Sequence, residues 1–280
     1  MDHLRPDTWF IASATRVAGC AAWLAGWLVL EALWYRRTRT SWDPRNVALS
    51  LQTAVVVGTV QVLVSLALAP LLWRVWPYRF WTLSMDAFGH WALAWTVVDF
   101  AYYWIHRALH ATRIGWALHA PHHSSLQVTM LDSLRFSWGE QPVGVLAYGI
   151  PLVLLGVPPY VAALFYGFVS LFQLVVHTEM SWSLGALDGL VYTPAAHRIH
   201  HSSARAEADS NFGGFFVLFD RLFGTYTRTR PADRPAAYGL PDRRATTLGE
   251  IAFGELRDVI AGLRATRGLT AKIRFAFTRP

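Results

Sequence analysis

The chain has 280 residues, of which 54% are apolar, 14% aromatic and only 15% charged, with a formal net charge of +7. Soluble domains carry roughly 45–50% apolar and 25% charged residues, so this composition argues against a water-soluble globule and excludes disorder, a collagen repeat and a disulfide scaffold. The single cysteine, Cys20, leaves neither an intrachain disulfide nor a thiolate metal site, so any metal must be held by nitrogen or oxygen.

Crossing a bilayer takes about 20 apolar residues in a row. Three runs meet that length: Val17 to Tyr35, interrupted only by Glu31; Val47 to Trp73, with no charge; and Ala87 to Ile105, with Asp99 alone. Met1 to Arg16 lacks the pattern of a secretory signal, so the first run is read as retained. A fourth stretch, Pro142 to Val176, is split by Pro158 and Pro159. Each half is short, since a helix of about 16 residues covers about 24 Å, and the stretch reads as a helical hairpin or re-entrant loop turning at the prolines.

Arg36, Arg37, Arg39 and Arg45 fall between the first two runs, and the positive-inside rule puts that loop in the cytoplasm. The N-terminus is then outside, the Arg74 to Arg79 turn is outside, and everything from His177 to Pro280 is cytoplasmic. Trp73, Trp76, Tyr78 and Trp81 crowd the outer turn, where aromatic rings favour the headgroup level. The basic charge therefore marks a membrane face rather than a nucleic-acid surface. The expected architecture is an all-α integral membrane protein, with about four to five transmembrane helices and a cytoplasmic helical cap carrying the histidines. Its parts are an N-terminal transmembrane region, residues 1–86, a histidine-rich domain, 87–230, containing the 142–176 hairpin, and a cytoplasmic C-terminal tail, 231–280.

The chemistry sits in the histidines. Nine of the 11 lie between His106 and His201: His106 and His110 in HRALH, His119, His122 and His123 in HAPHH, His177 at the mouth of the hairpin, and His197, His200 and His201 in HRIHH. At this histidine frequency an HxxHH at a given position has chance odds of roughly one in fifteen thousand, so two are not coincidence. On a helix, positions i, i+3 and i+4 share a face, which gathers imidazoles as a ligand set. Nine nitrogens exceed one zinc site and suit two metal ions with about four or five each. Imidazole serves zinc, copper, iron and nickel alike. His3 and His90 read as ordinary polar residues, and His177 is included because it ends the hairpin on the side of the boxes.

At these residues the chain resembles the fatty acid hydroxylase superfamily, the membrane histidine-box group that includes sterol desaturases and sphingolipid hydroxylases. The likeness runs from about Asp99 to Tyr226 and rests on DFAYYWIHRALH from Asp99, HAPHHSS from His119, His177 after the hairpin, HRIHHS from His197, NFGG from Asn211 and DRLFGTY from Asp220. It departs at Ser137, where bacterial relatives often have histidine, at Phe219, where tryptophan is common, and at Ser181, which leaves His177 without a second histidine in its box. The order of boxes is specific for the superfamily and not for a substrate. The resemblance implies a non-haem diiron site with dioxygen as co-substrate, all nine clustered histidines as iron ligands, and an external electron donor such as a cytochrome b5-like or ferredoxin/reductase protein.

Asp99 lies two helical turns before His106 on the same face, and a carboxylate in an apolar run is costly enough to imply a role, here orienting an imidazole. Asp132, Glu140, Glu179, Asp209 and Asn211 are weaker cases. Gly213-Gly214 is too short to cradle a pyrophosphate, so no nucleotide cofactor is expected. Arg228, Arg230, Arg234, Arg243 and Arg244 suit anionic headgroups, an acidic redox partner or plain solvent. The expected activity is O2-dependent hydroxylation or desaturation of a lipid in the bilayer, in a bacterial inner membrane or its equivalent. A membrane metal transporter would want its histidines inside the spans, and a zinc-dependent hydrolase would want a general-base carboxylate and fewer ligands.

Overall fold

The computed structural model describes residues 6–38, 41–135, 137–242 and 244–279, with side chains described from residue 22 onward apart from Glu140 and Gln141. His3, Arg39, Arg243, Pro280 and the side chains of Cys20 and Glu140 lie outside that description. The chain divides into two compact units, Met1–Trp42 and Asp43–Pro280.

The first unit is helix α1, Pro6–Thr38, which contains the first apolar run. Its aromatic residues pair along the helix, Trp23 with Trp27 and Trp34 with Tyr35.

The second unit is helical, and its only β-pairing among the described residues is two isolated bridges. It begins with α2, Pro44–Val75, where Asp43 caps the helix by accepting from the Arg45 N–H and Pro44 fills the first turn, in which an N–H has no helical partner anyway. Its buried residues are Asn46, Ser50, Thr53, Val57 and Gln61, spaced at three to four residues along one face. The opposite face exposes Leu51, Val55, Val62, Leu63 and Leu66. Polar in and apolar out inverts the pattern of a helix in water and suits a helix surrounded by lipid.

The polar face is locked. Asn46 and Ser50 donate to Asp132 Oδ1 at 2.6 and 2.8 Å, and the buried guanidinium of Arg135 donates to Ser50, Ser124 and Asn46. Two helices among the described residues are long and apolar enough to cross a membrane, Pro44–Tyr78 with mean hydropathy 2.3 and Pro159–Val176 with 1.7.

Helix α3, Phe88–Ala111, leads directly into α4, Arg113–His123, through Thr112, whose hydroxyl caps α4 at Gly115. After the loop to Ser137 comes an interrupted helical segment: α5, Glu140–Val143, a π-helical turn Gly144–Gly149, and α6, Ile150–Leu154. The chain turns through Gly156, whose φ of +81° suits glycine, and Pro158 opens α7, Pro159–Val176. Ala94 and Val98 of α3 meet Leu152, Val157 and Val161 in the largest apolar core cluster. The remaining helices are α8, Pro194–His200, α9, Arg205–Ala208, α10, Leu218–Leu222, α11, Leu248–Ala265, and α12, Leu269–Phe277. A Thr247/Glu250 capping box starts α11, and both α11 and α12 pack on α4, so the C-terminal segment braces the histidine-bearing helix.

Candidate metal centre

The nine clustered histidines form two groups. His106, His110, His119, His123 and His200 make one and His122, His177, His197 and His201 the other, with one ring nitrogen of each residue lying within 4.8 Å of the rest of its group. Helical spacing explains the division. The i,i+4 pairs His106/His110, His119/His123 and His197/His201 each stay together, while His122 and His200, one residue off that register, point into the opposite group. Helices α4 and α8 therefore each serve both groups, and His177, the residue capping α7, joins the second.

The tautomers are set from outside. His106 Nδ1 donates to the Phe212 carbonyl at 3.0 Å, His177 Nδ1 to the Gln173 carbonyl at 3.0 Å and His200 Nδ1 to the Ser210 carbonyl at 2.8 Å. A carbonyl can only accept, so each Nδ1 carries the proton and each Nε2 lone pair is left for the group. His106 Nε2 lies 3.1 Å from His119 Nε2, and His177 Nε2 lies 3.0 Å from His197 Nε2. His110 Nε2, His123 Nε2, His200 Nε2, His197 Nδ1 and His201 Nε2 are buried with no partner. Buried ring nitrogens left unpaired are costly without a cation to engage the imidazoles, and nitrogens on opposite sides of a metal at about 2.1 Å per bond sit about 4 Å apart. These residues fit two metal ions.

Burial drives the histidine pKa values down. His119 falls to about 3 through burial alone. His122, His123, His197, His200 and His201 fall well below 6.5, through burial first and their neighbouring imidazoles second. Neutral imidazole is the form that ligates.

The loop Asn211–Phe216 carries the Phe212 carbonyl and is held by two buried carboxylates. Asp99 accepts from the N–H groups of Phe215 and Phe216 at 2.8 and 3.2 Å, while Asp220 accepts from Phe212, Gly213 and the Thr225 hydroxyl at 2.7, 2.8 and 2.7 Å. Asp99 thus bonds the backbone that orients His106 rather than the imidazole itself, which the sequence expectation had as the direct partner. A Cβ at Gly214 would lie 2.9 Å from Asp99 Oδ1 and from the Tyr102 ring, so glycine is needed for this approach. Asn211 itself has φ +55° and is pinned by bonds to Ala196 and Thr227. Burial raises Asp220 to about 6 against the opposing pull of its donors.

Of the other sequence candidates, Asp209 lies 3.6 Å from His110 Nδ1 and 3.4 Å from Arg279, Glu179 pairs with Arg234 at 2.7 Å, and Asp132 belongs to the α2 lock. His90 joins neither histidine group. Sequence reasoning missed Gln173, whose side chain donates to the Gly214 carbonyl while its own carbonyl takes His177. It also missed the buried Arg198, which donates to the carbonyls of Thr178, Met180 and Pro231, and whose place inside HRIHH was the one signal for it.

A cavity of about 980 Å³ adjoins both groups: His106 and His119 of the first and His122 and His177 of the second are in its wall. The rest is mostly apolar and includes Val62, Leu63 and Leu66 of α2, Ile105 of α3 and Leu174 of α7.

The profile of the fatty acid hydroxylase family matches residues 91–225, the segment that holds all nine histidines. The chain is 34% identical to human alkylglycerol monooxygenase over 204 residues, which is 72% of this chain and 45% of that protein. It is 37% identical to alkylglycerol monooxygenase of Xenopus tropicalis over 163 residues, 58% and 35% of the two chains. With an ornithine lipid hydroxylase of Rhizobium tropici it shares 33% identity over 152 residues, 54% and 44% of the two chains. The matched region spans less than half the length of each of these relatives. No solved structure matches the chain. The boxes and their order thus fall inside a segment, residues 91–225, that matches the fatty acid hydroxylase family.

Proposed function

We propose that this protein is a membrane-bound non-haem diiron oxygenase that hydroxylates a lipid chain with O2 and electrons from an external donor. The observation that carries the reading is the meeting of two inward-facing histidine groups with one large, mostly apolar cavity. The irons would be held by His106, His110, His119, His123 and His200, and by His122, His177, His197 and His201. Iron so bound supplies oxygen activation, which no side-chain acid or base offers against a C–H bond.

The remaining work falls to the chain. The apolar wall binds and aligns the lipid and excludes water, with the α2 face at Leu63 and Leu66 as its entry from the bilayer. The carbonyls of Phe212, Gln173 and Ser210 hold the imidazole protons away from the metals, and Asp99 and Asp220 act as positioning residues through the loop they clamp. Neither group contains a carboxylate among the described residues, which favours redox chemistry over zinc hydrolysis. The names of the relatives favour hydroxylation over desaturation and an alkylglycerol or ornithine lipid as substrate.

In this reading α1, α2, α3 and the 142–176 hairpin supply the four to five spans, the boxes form a cytoplasmic cap within the 87–230 domain, and a cytochrome b5-like or ferredoxin/reductase protein delivers electrons in a bacterial inner membrane. The inverted polarity of α2 supports its part.

The test is metal analysis and iron spectroscopy on anaerobically purified protein, with ¹⁸O2 incorporation into 1-O-hexadecylglycerol and ornithine lipid. Two irons per chain and labelled product are expected, one for each histidine group. A single metal, or turnover with zinc in the absence of oxygen, overturns the proposal.

A further inference from the structure

Tyr148 stands on the π-helical turn Gly144–Gly149 and lines the cavity. It is 4% exposed, yet its hydroxyl has no hydrogen-bond partner. Thr59, Gln61, Ser133, Ser170 and Gln173, which share the cavity wall, each donate to a backbone carbonyl of this chain. Ser65, Tyr102 and Tyr166 on the same wall also have partners. Tyr148 is therefore a donor left over in a mostly apolar wall. Phenylalanine would fill the space without the cost of burying an unpaired hydroxyl, and π-turns, themselves unfavourable, gather at functional sites. Its ring centroid is 4.9 Å from that of Tyr166, and Tyr102, which lines the same cavity, has its ring 5.6 Å from that of His106.

We infer that the Tyr148 hydroxyl donates to an oxygen atom of the lipid, an ether, ester or hydroxyl oxygen, so that the site selects oxygen-bearing lipids over plain hydrocarbon chains. This rests on the reading of the cavity as the lipid site. An acceptor oxygen held there fixes how far along the chain the carbon facing the histidines lies, so Tyr148 would set the position of oxidation as well as the class of substrate.

The test measures displacement of a bound fluorescent lipid from the iron-loaded full chain by 1-O-hexadecylglycerol and by nonadecane, in wild type and Y148F. Loss of one neutral hydrogen bond is expected to weaken the alkylglycerol about five- to tenfold and to leave the hydrocarbon unchanged. The lipid-free variant is expected to melt at the wild-type temperature or above it, because it loses an unpaired buried hydroxyl. Equal effects on both ligands, or none, overturn the inference. So does a variant that melts lower or fails to fold, since the hydroxyl would then have a structural partner. If neither ligand displaces the probe from wild type, the cavity is not a lipid site and the proposed function falls with it, an outcome distinct from binding without discrimination.

Discussion

Asp99→Asn isolates what one buried carboxylate contributes to the metal centre. In the native structure both oxygens of Asp99 accept from backbone N–H groups, Phe215 at 2.8 Å and Phe216 at 3.2 Å. Asparagine keeps one acceptor and turns an N–H₂ toward the other donor, so one charge-assisted bond is exchanged for a donor–donor contact. Such a bond is worth about 1.5–3 kcal/mol, and at about 1.4 kcal/mol per decade this corresponds to roughly 10- to 100-fold. The strain falls on the loop whose Phe212 carbonyl fixes the Nδ1 proton of His106 directly, while the second group feels that loop only through the Gln173 side chain on the Gly214 carbonyl, so the five-histidine group is the more affected. The expected result is a 10- to 100-fold loss of affinity at one of two metal sites, in line with the usual effect of removing a residue that orients a ligand. Metal titration followed by iron counting per chain is the assay, with membrane insertion checked in parallel. Asp99→Asn protein that inserts and binds two irons with wild-type affinity would refute the route through the loop.

Three further outcomes are expected. His177→Ala removes one of four nitrogens in the second group and should lose iron and activity as severely as a change in any HxxHH, while His90→Ala, outside both groups, should retain both; full iron in His177→Ala would leave that group with three ligands. Asp132→Ala leaves the buried Arg135 guanidinium without its counter-charge and without the acceptor for Asn46 and Ser50, and should destabilise the fold by about 3–5 kcal/mol in a denaturant titration; an unchanged midpoint would show that the lock on α2 is dispensable. Metal-free protein should lose stability as pH falls below about 6.5, because the unfolded chain protonates histidines that burial keeps neutral in the fold, His119 down to about 3. Its thermal midpoint should be level above that pH and fall steadily toward pH 5, and a flat profile would contradict the burial of the imidazoles.

The sequence by itself was enough to pick out the nine histidines that come together, eight of them because an α-helix converts i, i+3 and i+4 into one face and the histidine boxes repeat that spacing. It also carried the apolar lengths of α2 and of Pro159–Val176, since hydropathy over about 20 residues is a local property. Tertiary structure decided which boxes share a group: helical spacing separates His122 from His123, but only packing brings His123 together with His106 and His200, and His122 with His177 and His197. It also decided what Asp99 does, since the Phe215 and Phe216 N–H groups that it takes are more than a hundred residues away and no spacing rule links them. The same holds for the Arg135 lock onto Asn46, for Gln173 bridging His177 to Gly214, and for the unpaired hydroxyl of Tyr148. Spacing rules describe one helix at a time, and these partnerships exist only after separate helices and loops have packed.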